Sequence, residues 1–536
     1  MRDLIVAVDI GTGSARAGVF DRHGLLIGRA DYPIEMNRPA ENVAEHDSEN
    51  IWTAVCIAVR TARAKAGVGE ARIAAIGFDA TCSLVVRDGA GAPLSVNAQG
   101  HRRWDTIVWL DHRALKEADD CTATGHPVLV HSGGVLSPEM EMPKLMWLKR
   151  NLPEQWEKAG LVFDLADFMT WRATGSAARS RSTLTAKWNY LSHRSKGWDE
   201  SFLAAIGLED LLARTGLPEN TALPGTAVGT LTPEAAAGLG LDTDCRVAAG
   251  LIDAYAGALG VLGRFARVPG DLEGQMALVG GTSSCIVAFA REMKPAFGLW
   301  GPYYEAVLPS LWLVEAGQSA TGALLDHIVR SHSAGGEPDA ALHARIIARV
   351  RELRALHGDE FGGRLHVLPD FHGNRSPLAD PHAVGVVSGL TLDASFDALC
   401  RLYWRTAVGI ALGLRHILDM MRQAGYAPDC LHATGGHLRN PLLMELYSDI
   451  TGCRVAAADA VDAVLLGTAI GAAVAAGLHD TLAGAGAAMS PEGQEYLPDP
   501  ARRGAYDRDY ACYLAMLRHR AELDAIGRGG RAGPAA

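Results

Sequence analysis

Two stretches of this 536-residue chain share one build. An apolar run stops at a short turn of glycines and hydroxyl residues, and a second apolar run leads straight back. In the first, Leu4–Asp9 runs into Gly11-Thr12-Gly13-Ser14 and returns as Arg16–Phe20; in the second, Gln275–Val279 runs into Gly280-Gly281-Thr282-Ser283-Ser284 and returns as Cys285–Phe289. Short apolar runs bounded by turn residues predict buried strands, so each stretch predicts a β-hairpin. A spacing of about 270 residues between them predicts a duplicated α/β architecture, with one such sheet in each half.

The segments around the hairpins fit that plan. Leu25–Ile34 adds a third strand to the first meander. Asp47 and Ser48 open a helix on which Ile51, Trp52, Val55, Ala58, Val59 and Ala62 recur at helical spacing. Ile73–Asp79 is another apolar strand ending in an acid, and Leu84–Val86 continues extended. In the second half, Cys430–Thr434 leads into Gly435-Gly436 and then a helix over Pro441–Thr451. The break is expected near Val268–Asp271, after the helical Ala254–Leu262, which divides the chain into domains of residues 1–265 and 266–536. No low-complexity linker separates them, so close packing of the halves is expected. A terminal helix is expected over Asp507–Arg528, with a frayed tail after it.

Composition removes several classes of function. Lys+Arg 50 against Asp+Glu 61 gives a net charge of -11, which leaves no footprint for nucleic acid and no basic tail for an anionic membrane. The nine cysteines are scattered without a Cys-x-x-Cys pair, which fits reduced thiols better than a disulfide framework. Charges interrupt any signal-like run at the N-terminus. The longest uncharged apolar stretch, Ala463–Leu478, falls short of the roughly 20 residues a bilayer requires and reads as a buried helix. A cytoplasmic protein without a membrane partner is expected. His112, His372 and His437 show no metal-ligand spacing, so no zinc site is expected.

The chemistry concentrates in four places. Asp9, at a strand end beside Gly11-Thr12-Gly13-Ser14, can hold a hydrated Mg²⁺ while the turn's amides and hydroxyls face a phosphate. The glycines are expected to permit close approach and to need positive φ. Arg16, on the returning strand, can add a charge-assisted bond to a phosphoryl group. Alone, this is an ordinary glycine-rich turn; with Gly280-Gly281-Thr282-Ser283-Ser284 it suggests two loops gripping one polyphosphate from opposite sides. Gly435-Gly436, with Asn440 at a helix start, suggests a surface for a flat base or ribose. Neither a Walker loop nor a Gly-x-Gly-x-x-Gly dinucleotide turn followed by a helix is present. Asp253 has two readings, a helix N-cap and a carboxylate that takes a proton from an attacking hydroxyl, kept ionised by the helix dipole.

In their order and spacing, Asp9-Ile-Gly-Thr-Gly-Ser14, Gly250-Leu-Ile-Asp253-Ala, Gly280-Gly-Thr-Ser-Ser284 and Ala433-Thr-Gly-Gly-His437-Leu-Arg-Asn440 resemble the FGGY carbohydrate kinases, over nearly all of residues 1 to about 500. The resemblance implies two actin-like, ribonuclease-H-like domains with an interdomain active-site cleft. It also implies transfer of the γ-phosphoryl of ATP to a sugar or polyol hydroxyl with Mg²⁺. Carried onto this chain, Asp253 is the catalytic base and Asp9 the acid near Mg²⁺, acting through water. ATP contacts fall on Gly11, Thr12, Gly13, Ser14, Arg16, Gly281, Thr282, Gln318, Gly435, Gly436 and Asn440. The segment from Gly385 opens like the family's C-terminal signature, but its acid, Asp397, arrives slightly early.

Further segments resemble the ribulokinase branch: Thr81-Cys82-Ser83-Leu84-Val85, Trp109-Leu-Asp111-His112-Arg113, Thr185-Ala-Lys187-Trp188, Glu315-Ala-Gly-Gln318-Ser and Asp370-Phe-His-Gly-Asn374-Arg375-Ser-Pro. That resemblance places a pentulose against Thr81, Cys82, Trp109, Lys187, Asp253 and Glu315. Lys187 offers donors, the two acids offer acceptors, and Trp109 or Trp188 is either a cover for an apolar face or a core residue. The expectation is a D-ribulose kinase, with a homodimer implied by relatives. The alternatives are a family kinase for L-ribulose, xylulose, a tetritol or glycerol, a nucleotide-gated actin-like chaperone or filament protein, and a sugar sensor without catalysis.

Overall fold

The computed structural model describes residues 2–101, 103–358, 361–457 and 462–527. The expected frayed tail lies outside the described residues. Two compact units make up the chain. The first is Met1–Glu273, Val287–Glu315 and Ala460–Pro491; the second is Gly274–Ile286, Ala316–Asp459 and Glu492–Ala536. The break expected near Val268–Asp271 lies beside the first of these crossings. The chain then returns to the first unit twice, over 287–315 and 460–491.

In the first unit, Leu4–Ile10, Ser14–Asp21 and Leu26–Pro33 form the antiparallel meander that the apolar runs predict. Ile73–Ala80 lies parallel to Leu4–Ile10 on the other side. Arg246–Ala248 and the short Leu251–Ile252 continue parallel beside it, and Ala227–Thr230 closes that edge antiparallel. Leu4–Ile10 and Ile73–Ala80 are buried at every position, which explains why they read as continuous apolar runs rather than alternating ones.

Helix Ser48–Ala66 begins at Asp47, whose carboxylate accepts the amides of Glu49 and Asn50, and stops at Gly67 in the left-handed region. It buries Ile51, Trp52, Val55, Val59 and Ala62 into a core shared with Val6, Val8, Ala15 and Ala17. A second sheet takes the order Met36–Ala40, Val43–His46, Thr106–Ile107, Leu84–Asp88 and Ala159–Asp164.

Two helices of small residues, Asp253–Leu262 and Ala463–Ala475, cross at close range. A Cβ on Gly467 would lie 1.8 Å from the Ala256 carbonyl oxygen, and one on Gly260 would lie 2.1 Å from that of Ala463. The apolar Ala463–Leu478 stretch is therefore a packed helix, ending at Ala475. No described helix is long and apolar enough to cross a membrane.

In the second unit, Gln275–Gly280, Cys430–Gly435 and Arg454–Ala457 are parallel neighbours, with Gln494–Tyr496 antiparallel at the edge. The long helix Phe396–Gln423 packs against Pro441–Thr451, and Arg503–Gly527 ends the described chain as a helix. Pro441–Thr451 has the predicted bounds because its ends are written locally, with Asn440 and Pro441 at the start and left-handed Gly452 at the stop.

The helix crossing gives a direct test. Gly467→Ala is expected to lower stability by about 1–3 kcal/mol through overpacking, read as a fall in Tm. Gly471→Ala on the same helix, whose Cβ would meet Leu251 at an ordinary 3.8 Å, should not lower it.

Candidate active site

Strand register brings three acids of the first unit to one corner. Asp9 is paired with Asp79 across the parallel strands, and Ile252 is paired with Ala80 one residue further along. Asp253 follows Ile252 directly, so all three acids sit at or just past the carboxyl ends of neighbouring parallel strands, where open α/β sheets bind ligands. Asp9 is 2% exposed and Asp79 is fully buried. Arg16, opposite Asp9 in the antiparallel pair, donates from Nη1 to Asp9 Oδ2 at 2.7 Å.

Burial controls the electrostatics of this corner. Desolvation pushes Asp9 up to about 7 against the pull of Arg16, with Asp462 and Asp253 adding to the rise. Asp79 rises well above the ordinary carboxylate range, first through desolvation and then through Asp9, although Thr468 Oγ1 donates to its Oδ2. Asp253 is raised to about 6, again by desolvation first, while the Ala254 amide donates to its Oδ1 at 2.7 Å and pulls the other way. Loss of water is the largest influence on Asp253, and a value of about 6 still leaves the carboxylate ionised at neutral pH. The capping reading is corrected: Ile252 occupies the N-cap position and Asp253 is the first helical residue.

The first hairpin closes through the Gly11 amide, which donates to the Ser14 carbonyl at 3.1 Å. The expected positive φ is absent at both Gly11 and Gly13. What constrains Gly11 is Arg16, whose Nη2 would lie 2.6 Å from an added Cβ. A Cβ on Gly13 would meet nothing within 4 Å. Trp109 Nε1 donates to Thr12 Oγ1 at 2.9 Å, and the Trp109 amide donates to Ser83 Oγ at 3.2 Å. Trp109 thus ties the turn to the Thr81-Cys82-Ser83 segment, which follows directly from strand Ile73–Ala80. The Cys82 thiol is pushed far up by burial, which keeps it protonated and unreactive.

Lys187, Glu315 and Asp253 meet in the same unit. Lys187 ends helix Arg181–Lys187 and is 3% exposed. Its ammonium donates to Glu315 Oε2 at 3.2 Å and lies 4.1 Å from the centre of the Trp300 ring. Tyr255, two residues beyond Asp253 on the same helix, donates its hydroxyl to the same Glu315 oxygen at 2.8 Å. Glu315 is an electrostatic neighbour of Asp253, as are Lys187 and Arg16. Trp188 is fully buried in the core.

The remaining expected residues belong to the second unit. Gly281 donates its amide to Ser283 O at 2.8 Å, and Gly322 and Thr321 donate theirs to the Gly281 and Thr282 carbonyls. Gly280 and Gly435 are register partners. Gly435 has φ +85, and a Cβ there would lie 2.4 Å from the Gly280 carbonyl oxygen. Buried His437, held neutral with its pKa lowered to about 4 by desolvation, joins Thr321 Oγ1 (2.9 Å) to Tyr447 OH (3.0 Å) and braces this turn. Two expected ATP contacts are engaged within the protein. Gln318 donates to the Ile410 carbonyl at 3.1 Å; Asn440 caps its helix and donates to Tyr403 OH at 3.1 Å.

Sequence reasoning missed Asp79, Tyr255, Trp300 and His437 as parts of these sites. Asp79 had a signal, the second apolar strand ending in an acid. Tyr255 had one too, standing two residues beyond Asp253 on the same helix.

The meander–helix–parallel-strand sheet, with strand-end acids beside a glycine–hydroxyl hairpin, defines an actin-like α/β fold. A solved structure of xylulose kinase from Rhodospirillum rubrum has the same two-domain fold, with a TM-score of 0.78 at 24% identity over 97% of this chain and 99% of that one. Residues 4–260 match the N-terminal domain and 276–476 the C-terminal domain of the FGGY family of carbohydrate kinases. The chain is 43% identical to a human FGGY carbohydrate kinase domain-containing protein over 97% of each. It is 34% identical to a D-ribulokinase of Saccharomyces cerevisiae, covering 87% of this chain and 71% of that one. The chain belongs to the FGGY family of carbohydrate kinases, and it is an ATP-dependent sugar phosphotransferase.

The acid corner predicts a stability signature. Because the folded-state pKa of Asp79 is raised, its ionised form penalises the native state at high pH, and the penalty fades as pH falls toward the unfolded value. In metal-free buffer, Asp79→Asn should therefore raise Tm at pH 8, with the gain shrinking toward pH 4. A gain that grew on acidification would contradict the assignment.

Proposed function

We propose that this protein is a pentulose kinase that converts D-ribulose and ATP to D-ribulose 5-phosphate and ADP, with Asp253 as the base. The observation that carries this reading is a raised but still ionisable Asp253 beside the buried Lys187–Glu315–Tyr255 set. A pentulose has a carbonyl that needs donors and hydroxyls that need acceptors, and this set supplies both. The likeness to a protein named D-ribulokinase over most of the chain supports the choice of sugar.

In the proposed reaction the terminal sugar hydroxyl attacks the γ-phosphorus. Its proton passes to the Asp253 carboxylate, and the bond from phosphorus to the β-bridging oxygen breaks to release ADP. A pKa of about 6 leaves Asp253 ionised at neutral pH and suited to accept that proton. Thr12, Ser14 and Arg16 are the proposed phosphate contacts of the first unit; Gly281, Thr282, Gly435 and Gly436 are the proposed nucleotide contacts of the second. The acid corner fits a magnesium ion reached through water. Its donors are hard carboxylate oxygens, and Asp79 Oδ1 has no hydrogen-bond partner among the described residues. Asp9 and Asp79 would orient that hydrated ion, which when bound supplies positive charge to the triphosphate.

Initial rates across D-ribulose, L-ribulose, D-xylulose and glycerol at fixed Mg·ATP test the sugar, and D-ribulose should give the highest kcat/KM. Asp253→Asn is expected to cut kcat by at least about 10²-fold while ATP still binds; near-normal turnover would exclude Asp253 as the base. In the wild type, kcat/KM should fall as pH drops through about 6, where Asp253 takes up its proton. That acid limb should be lost from the residual activity of Asp253→Asn.

A further inference from the structure

Strand Trp300–Tyr304 carries an unspent polar group into the neighbourhood of Lys187. In a regular strand, Trp300 and Tyr303, three apart, would face opposite sides of the sheet. The pairing with Trp312–Gln318 breaks register between them: Trp300 is opposite Glu315, whereas Tyr303 is opposite Leu313. The irregularity falls at Gly301, which has φ +98 and where a Cβ would lie 2.6 Å from the Leu313 carbonyl oxygen. As a result Trp300 lies under the Lys187 ammonium, and the electrostatic neighbours of the Tyr303 hydroxyl are Lys187, Glu315 and Cys82.

Tyr303 is 4% exposed, and its hydroxyl makes no hydrogen bond of normal geometry among the described residues. Its O–H hydrogen therefore has no acceptor among the described residues. Glu315 Oε2 already accepts from Lys187 and Tyr255. Burying an unsatisfied hydroxyl is destabilising, a penalty that phenylalanine at the same place would avoid.

The geometry points to Tyr303 as a further sugar-binding residue, whose hydroxyl donates a hydrogen bond to an oxygen of the bound substrate beside Lys187 and Glu315. This rests on the reading of Lys187 and Glu315 as sugar contacts. It adds a specificity element, because a site holding a buried donor rejects a substrate that lacks the matching oxygen.

The test is Tyr303→Phe in the full-length chain, assayed with whichever sugar or polyol the wild type turns over best. The sugar KM should rise about tenfold to a hundredfold, with kcat within a few-fold of wild type, KM for ATP unchanged, and Tm without sugar equal to or above wild type. Monodeoxy analogues of that sugar locate the bond: the variant should lose the wild type's discrimination at one position only. An unchanged sugar KM overturns the proposal, as does a lowered Tm or an equal loss at every position. If the wild type phosphorylates no pentulose, the D-ribulose reading fails, while the Tyr303 comparison still runs on the accepted substrate.

Discussion

The first unit is organised around a repulsion. Three carboxylates are held where parallel strands end, and water is removed from around them. Two of the three are almost entirely covered. Carboxylates placed this way resist ionising together, so the fold supplies partial compensation: Arg16 across the hairpin, Thr468 on a packed helix, and the Ala254 amide at a helix start. The compensation is incomplete, and the acids retain raised proton affinity. Carboxylates with raised proton affinity are suited to exchanging protons, and a cation would relieve the repulsion among their ionised forms.

The neighbouring set works in the opposite way. Lys187 is buried, yet Glu315 answers its charge and the Trp300 face lies beneath it. Both partners come from the returning segment 287–315, whereas Lys187 comes from a helix more than a hundred residues earlier. Tyr255 ties this set to the helix that begins with Asp253, so Lys187, Glu315 and Asp253 share one rigid support.

Much of this was legible in the sequence because the signals are local. Fully buried strands read as unbroken apolar runs, and the helix Pro441–Thr451 carries both its start and its stop in adjacent residues. Asp9, Arg16 and Asp253 could be singled out because each sits at the edge of such a run. What could not be read depended on register or on distant returns of the chain. The pairing of Asp79 with Asp9 is a property of two strands separated by a long connection. The break that turns Tyr303 toward Lys187 lies in how one strand meets another. The glycines of the first hairpin misled for a related reason: their composition suggested unusual backbone angles, but Gly11 is constrained by an arginine side chain that only the folded hairpin brings near.

The membership of residues 460–491 in the first unit also bears on how the protein is made. Thr468 reaches Asp79, and Gly467 locks the helix that carries Asp253, although both lie far downstream of their partners in the chain. The chain must therefore be synthesised at least through residue 468 before the acid corner can close. Until then the nascent N-terminal sheet exposes the apolar surface that this late helix will cover.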